Sequence, residues 1–252
     1  MTLGGSVPIR NGIILDYCFR EAVESLLPIC DKVIICDCDS TDGTREFVDE
    51  WAARESKLVV ANFPWTNPSG TTDWWPTFLN YSRQHLPTDH FIHLDGDEVL
   101  HEDDYEKIKS AAERRSVLFF KRLNFWRDAK HVIPDGVCCG TKVLRMAGTN
   151  QPIPSDYPWA PANETVVQAV ESGIRVFHYG FIRRRDAFFK KAREVQRIWA
   201  NSYDPRLEAA EKFEGEWATM PGLTGWEGDL VPYDGTHPKV IHGWLNARGY
   251  AY

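Results

Sequence analysis

From Asp16 to Leu94 the chain alternates short apolar runs with stretches whose apolar residues recur at helical spacing, and that alternation narrows the folds open to it more than any other feature. Phe19, Ala22, Val23, Leu26 and Leu27 fall at i, i+3, i+4, i+7 and i+8 within 16–27, and Pro28 closes the segment. KVIICD (32–37) is a short β-branched run, TREFVDEWAARE (44–55) a helix with Phe47, Val48 and Trp51 inward, and KLVVA (57–61) a second strand. WPTFLNYSRQHL (75–86), with Pro near its start, and HFIHL (90–94) repeat the pair. Strands alternating with helices predict an α/β fold on a mostly parallel sheet flanked by helices. After about residue 115 the rhythm changes. VLFFKRLNFW (117–126), TKVLRM (141–146), ETVVQAV (164–170) and IRVFHYG (174–180) follow without long helices between them, which predicts a mixed or antiparallel extension. A basic amphipathic helix (181–199), a further helix near 205–214 and a wrapping tail (219–252) complete the chain. The expected organisation is one continuous domain with halves at 1–115 and 116–252.

Hydrophobic content of 43% and charged content of 26% are those of a globular protein, and no apolar run reaches membrane-spanning length. The N-terminus lacks the pattern of a signal peptide, so a cytoplasmic location is expected, with the inner face of a membrane as the alternative. The six cysteines contain no CxxC pair and suggest unpaired thiols rather than zinc or disulfides. A net charge of −7 argues against a broad nucleic-acid surface, although not against a local basic patch.

Two acidic clusters follow predicted strands. In parallel sheets ligands bind outside the carboxyl ends of the strands, so DCDSTDG (37–43) and DGDE (95–98) are expected at one edge. Asp95 and Asp97 flank a glycine that permits a tight turn; a bare D-x-D would read as a solvated turn, but after a strand and beside a second acidic cluster it reads first as a site for Mg²⁺ or Mn²⁺. Asp37-x-Asp39-x-Thr41 also matches the nucleophile motif of haloacid-dehalogenase-type phosphatases, without that family's later motifs in order.

The run Asp39, Ser40, Thr41, Asp42, Gly43, Thr44 more closely resembles the D-x-S-x-D-G-T loop of family 2 glycosyltransferases of the GT-A, Rossmann-like fold, in a bacterial and phage subset. IRN (9–11) looks like the first-strand end, LDGDE (94–98) the D-x-D region, and RVFHYGF (175–181) and GTHPKVIHGWL (235–245) the C-terminal part. The resemblance implies a hexosyltransferase-type enzyme (EC 2.4) using a nucleoside-diphosphate sugar, UDP-sugar favoured. Asp37 or Asp39 would hold the nucleoside, with Arg10, Asn11, Asp95 and Arg183 also on the donor. Asp95, Asp97 and His178 would hold Mn²⁺ or Mg²⁺, with His237 a weaker rival to His178. Inversion implies a carboxylate base about sixty residues past the D-x-D, for which Asp156 and Glu164 are candidates.

The acceptor stays open among glycans, lipid-linked intermediates and other hydroxyl compounds, with DNA less favoured and peripheral membrane contact an option. Oligomeric state is unread. The basic residues of 183–193 read first as a solvated helix face and second as contacts to a diphosphate or phosphorylated acceptor. Trp65, Trp74 and Trp75 read first as packing and second as the wall of a sugar site. A non-catalytic carbohydrate-binding protein is the remaining alternative.

Overall fold

A computed structural model describes residues 1–65, 74–113, 117–135, 142–148, 170–199, 230–250 and 252. The N-terminal part repeats strand and helix as β1 (Leu3–Ile9), α1 (Phe19–Leu26), β2 (Lys32–Asp37), α2 (Thr44–Ala52), β3 (Leu58–Asn62), α3 (Trp74–Gln84) and β4 (His90–His93). Then come β5 (Glu98–Leu100), a 3₁₀ turn at Glu102–Asp104, α4 (Tyr105–Ala112), β6 (Val117–Trp126), β7 (His131–Val132), β8 (Lys142–Gly148) and β9 (Val170–Phe181). Helix α5 (Arg185–Trp199), β10 (Val231–Pro232), a 3₁₀ turn at Lys239–Ile241 and α6 (His242–Asn246) follow.

β1 pairs in parallel with β2 on one side and β4 on the other, and β3 extends β2, also in parallel. β8 joins β4 antiparallel and β6 joins β8 antiparallel, so the sheet becomes mixed as expected. The order is β10-β7-β6-β8-β4-β1-β2-β3, with β9 paired to β5 and β6. Its 3-2-1-4 core reverses direction between β1 and β4, and the crevice at their carboxyl ends is the switch point at which such sheets bind ligands.

β2 shows why the sheet is covered on both faces. Val33 and Ile35 pack with Phe19, Val23 and Leu26 of α1 and Val48 of α2, while Ile34 and Cys36 pack with Phe78 and Leu79 of α3. Period-two alternation sends successive side chains to opposite faces, so an unbroken apolar run belongs to a strand buried on both. A third cluster joins Phe125, Phe177 and Tyr179 to Ile241, Trp244 and Leu245, which anchors the end of the chain. Cys18, Cys30, Cys36 and Cys38 are buried free thiols. Among the described residues no helix is long and apolar enough to cross a membrane.

Candidate functional site

The loops after β1 and β2 are built as one unit. Asn11 and Asp39 both adopt left-handed backbone, φ 52° and 53°, as Asn and Asp do more readily than other non-glycine residues. The N–H of Asn11 donates to Ser40 Oγ at 2.8 Å, and its Oδ1 accepts from the N–H of Thr41 at 2.8 Å. Asp42 accepts from the N–H of Ile14 at 2.7 Å and from the N–H and hydroxyl of Thr44 at 3.1 and 2.6 Å. Gly43, at φ +92°, makes the left-handed step that starts α2. Asp39 accepts from the N–H of Trp65 at 2.6 Å and from Asn62 at 3.3 Å. Asp37 is 2% exposed; one carboxylate oxygen accepts from the N–H of Ser40, while Oδ1 is buried without a partner among the described residues.

Arg10 lies at the mouth of the crevice, its guanidinium 4.8 Å from the Trp65 ring centroid and 3.6 Å from Glu194 of α5. Helix α5 therefore runs beside the switch point. Its neighbouring turn carries Lys191, whose Nζ lies 2.5 Å from Asp97 Oδ2.

The turn after β4 presents the second acidic cluster, and protein cations answer its charge. Arg122 lies 3.0 Å from Glu98 and 3.6 Å from Asp95. Asp95 is also 3.3 Å from Nε2 of His93. Asp97 is 3% exposed and accepts from Arg183 Nη2 at 2.9 Å as well as from Lys191. Although burial by itself raises a carboxyl pKa, the charges of Lys191 and Arg183 outweigh it and hold Asp97 well below the usual range.

Pairing of β5 with β9 sets Glu98 opposite His178, and the N–H of Tyr179 donates to the carbonyl of Asp97 at 2.8 Å. That register brings His178 Nε2 to 3.5 Å from Asp97 Oδ1. Nδ1 of His178 donates to Asn124 Oδ1 at 2.9 Å, and burial pushes the imidazole well below its ordinary pKa. With Nδ1 donating to Asn124, the neutral form that burial favours turns the Nε2 lone pair toward the carboxylate, so that two acceptors face each other. A Cβ at Gly180 would collide with Nε2 and come within 2.8 Å of Asp97 Oδ2, so this glycine keeps the space between ring and carboxylate open. The donor pair fits a divalent cation, with Asn124 orienting the imidazole as outer partners of metal-binding histidines do. Among the described residues no group of three or more His, Cys, Asp and Glu side chains forms a metal cage, so further ligands would come from substrate and water, as is usual for Mg²⁺.

Several expectations need correction. Arg183 does not face a diphosphate: Nε donates to the Gly180 carbonyl at 2.9 Å, Nη1 to the Leu15 carbonyl at 2.5 Å and Nη2 to Asp97, and the side chain is fully buried. Nor are the basic residues near α5 a uniformly solvated face, since Arg183 and Lys191 turn inward while Arg184 and Lys190 remain exposed. His237 is no rival ligand. Its Nδ1 accepts from the Tyr179 hydroxyl at 2.7 Å and its Nε2 donates to the Ala129 carbonyl at 2.7 Å, on the face of β9 opposite His178. Asp156 and Glu164 lie outside the described residues, as do the side chains of Trp74 and Trp75. Sequence reasoning missed Arg122, Asn124 and Gly180; of these only the glycine directly after His178-Tyr179 left a local signal.

Among solved structures, S. aureus TarS (residues 1–349) is similar over 84% of this chain and 70% of its own, at 15% identity and a TM-score of 0.45. TarS 1–349 in complex with UDP-GlcNAc matches over 59% of this chain at 18% identity and a TM-score of 0.42, and this chain spans only 46% of that one. The mannosyltransferase PcManGT from Pyrobaculum calidifontis, in complex with GDP-Man and Mn²⁺, matches over 50% of this chain and 35% of its own, at 20% identity and a TM-score of 0.35. Neither a protein-family model nor a curated protein matches the sequence. Likeness of this size leaves ligand and activity to be argued from the site.

Proposed function

We propose that this protein is an inverting glycosyltransferase of the hexosyltransferase type, which moves a sugar from a nucleoside-diphosphate sugar to a hydroxyl acceptor with Mn²⁺ or Mg²⁺ at Asp97 and His178. The observation that carries the reading is the convergence of two open acceptors, Asp97 Oδ1 and His178 Nε2, 3.5 Å apart beside the switch point of the sheet. A cation bound there supplies Lewis-acid stabilisation to the departing diphosphate. Asp95, 24% exposed at its side chain, stands where a ribose or diphosphate would meet the same turn. Arg10 and Asn11 at the end of β1 and Asp39 at the end of β2 border the nucleoside side. The orphaned Oδ1 of Asp37 is an acceptor that a nucleoside N–H or O–H would satisfy. Asp156 or Glu164 would take the proton of the acceptor hydroxyl, opposite the leaving group. A glycan or lipid-linked acceptor, met in the cytoplasm or at a membrane face, suits this chemistry.

The test is a thermal-shift panel of UDP, GDP, dTDP, ADP and CMP, each with and without Mn²⁺, on wild type and Asp97→Asn. Asparagine keeps the shape of the buried side chain while removing its charge. Stabilisation by one nucleoside diphosphate, dependent on metal and lost in the variant, is the expected result. No nucleotide response in any condition overturns the reading, and glycan binding without nucleotide would replace it with a lectin-like role.

A further inference from the structure

Asp97 has more counter-charge than a cation ligand needs, and its two cations are held in different ways. Arg183 is fixed: its side chain is fully buried, and Nε, Nη1 and Nη2 are all committed, two of them to backbone carbonyls. Lys191 reaches Asp97 through one hydrogen bond at 2.5 Å, passes 5.0 Å from the Tyr17 ring centroid and keeps a side chain 20% exposed. A lysine on a flexible four-carbon stem with one bond and a route to solvent is the removable partner of the two.

The charge count points the same way. Among the described residues Asp95, Asp97 and Glu98 are matched by Arg122, Arg183 and Lys191, three carboxylates against three cations without any metal. A divalent cation entering between Asp97 Oδ1 and His178 Nε2 meets an ammonium already seated on the same carboxylate, and like charges that close repel strongly at the low dielectric of a buried site.

We infer that Lys191 is a resident counter-ion, which holds Asp97 in the absence of a divalent cation and leaves it when one binds, so that cation entry is set against lysine release. The inference rests on Asp97 and His178 being the cation ligands of the proposed function. Lys191 and Glu194 are three residues apart on α5, and Glu194 lies 3.6 Å from Arg10, so the helix that gives up Lys191 also borders the other wall of the crevice.

The experiment measures Mn²⁺ binding without nucleotide, by EPR of the free ion, on wild type, Lys191→Met, Lys191→Gln and Lys191→Arg. Both neutral variants are expected to bind Mn²⁺ about tenfold more tightly than wild type, and the charge-retaining arginine to stay within about twofold. A lysine that merely supports the fold would weaken binding or leave it unchanged when removed. In wild type the Nζ resonance of Lys191, assigned by its loss in Lys191→Arg, is expected to shift saturably with Mg²⁺; if the neutral variants do not fold, this signal decides alone. Neutral variants no tighter than wild type, a lysine signal unmoved at saturating Mg²⁺, or no Mn²⁺ binding by any of the proteins overturns the inference. Because no nucleotide is present, a chain that behaves as expected here yet ignores every nucleoside diphosphate would retain the lysine exchange and lose the transferase reading.

Discussion

Two acidic stretches stand at the same edge of the sheet, 37–44 after β2 and 95–98 after β4, alike in composition and opposite in use. In the first, neutral donors occupy the carboxylates: Asp39 accepts from the Trp65 N–H, and Asp42 from those of Ile14 and Thr44. In the second, charged side chains do so, with Arg122 on Glu98 and Arg183 and Lys191 on Asp97. A carboxylate held by amides fixes the course of the backbone. One held by side-chain cations keeps its charge available for exchange, because one cation can replace another without the loop changing shape. The first stretch therefore shapes the crevice and the second supplies its electrostatics.

The largest test of that contrast is Arg183→Met. The substitution removes the fixed cation from buried Asp97 and orphans the carbonyls of Leu15 and Gly180, so a loss of about 3–5 kcal/mol in urea unfolding is expected, as for one broken partner of a buried ion pair. A loss of under about 1 kcal/mol, the scale of an exposed pair, would place Asp97 among the solvated carboxylates and dissolve the distinction.

Next in size is the pH dependence. His178 is held neutral by burial, with its pKa well below the ordinary value. As pH falls below about 6.5, the unfolded chain takes up a proton that the folded state refuses, so stability declines by about 1.4 kcal/mol per pH unit down to the folded pKa. The pKa of Asp97 is lowered, so its carboxylate is ionised in both states across that window, and its contribution is lost only as pH drops below about 4 toward the folded value. Comparing urea midpoints of wild type and His178→Gln between pH 5 and 8 isolates the slope, because His237 and Glu21, which titrate with opposite signs nearby, are common to both. Parallel curves would mean that His178 titrates alike in the folded and unfolded chain, and a wild-type advantage that grows as pH falls would mean that it is charged and paired with Asp97 as a salt bridge.

The legible parts of this fold are those whose cause is local. β2 spans the predicted 32–37 and β6 the predicted 117–126, and β4 ends within a residue of expectation, because buried strands of β-branched and aromatic residues carry their signal in the run itself. The loop after β2 was legible too: Asp42, Gly43 and Thr44 are a turn and helix start written in adjacent residues. Helix α4 and the short β5 went unread, since EDDYEKIKS is polar on most positions and EVL is too short for a period. The cations of the second cluster were illegible for a different reason. Lys191 meets Asp97 across 94 residues, and Arg183 meets it across 86, through a register between β5 and β9 that no spacing in the chain reveals. An acidic motif therefore announces a negative charge without announcing what already neutralises it.

The smallest expected effect falls on the first stretch and sharpens the comparison from its other side. Asp42 satisfies the N–H of Thr44 in the first turn of α2 and the N–H of Ile14 across the loop, so Asp42→Ala should cost about 1 kcal/mol, the usual scale of a lost cap. Thr44 Oγ1 still accepts from the N–H of Ile13 at 3.2 Å, which keeps part of the loop tied and caps the loss. Asn at 42 retains one accepting oxygen where aspartate has two, so Asp42→Asn is expected to fall between wild type and alanine. Because the partners are amides, neither variant should change the affinity for Mn²⁺, and the loss should persist at high salt, where pairs between exposed charges are screened. If Asp42→Asn instead shifted Mn²⁺ affinity as far as Asp97→Asn does, both stretches would belong to one electrostatic unit, and the division between shape and charge would have to be redrawn.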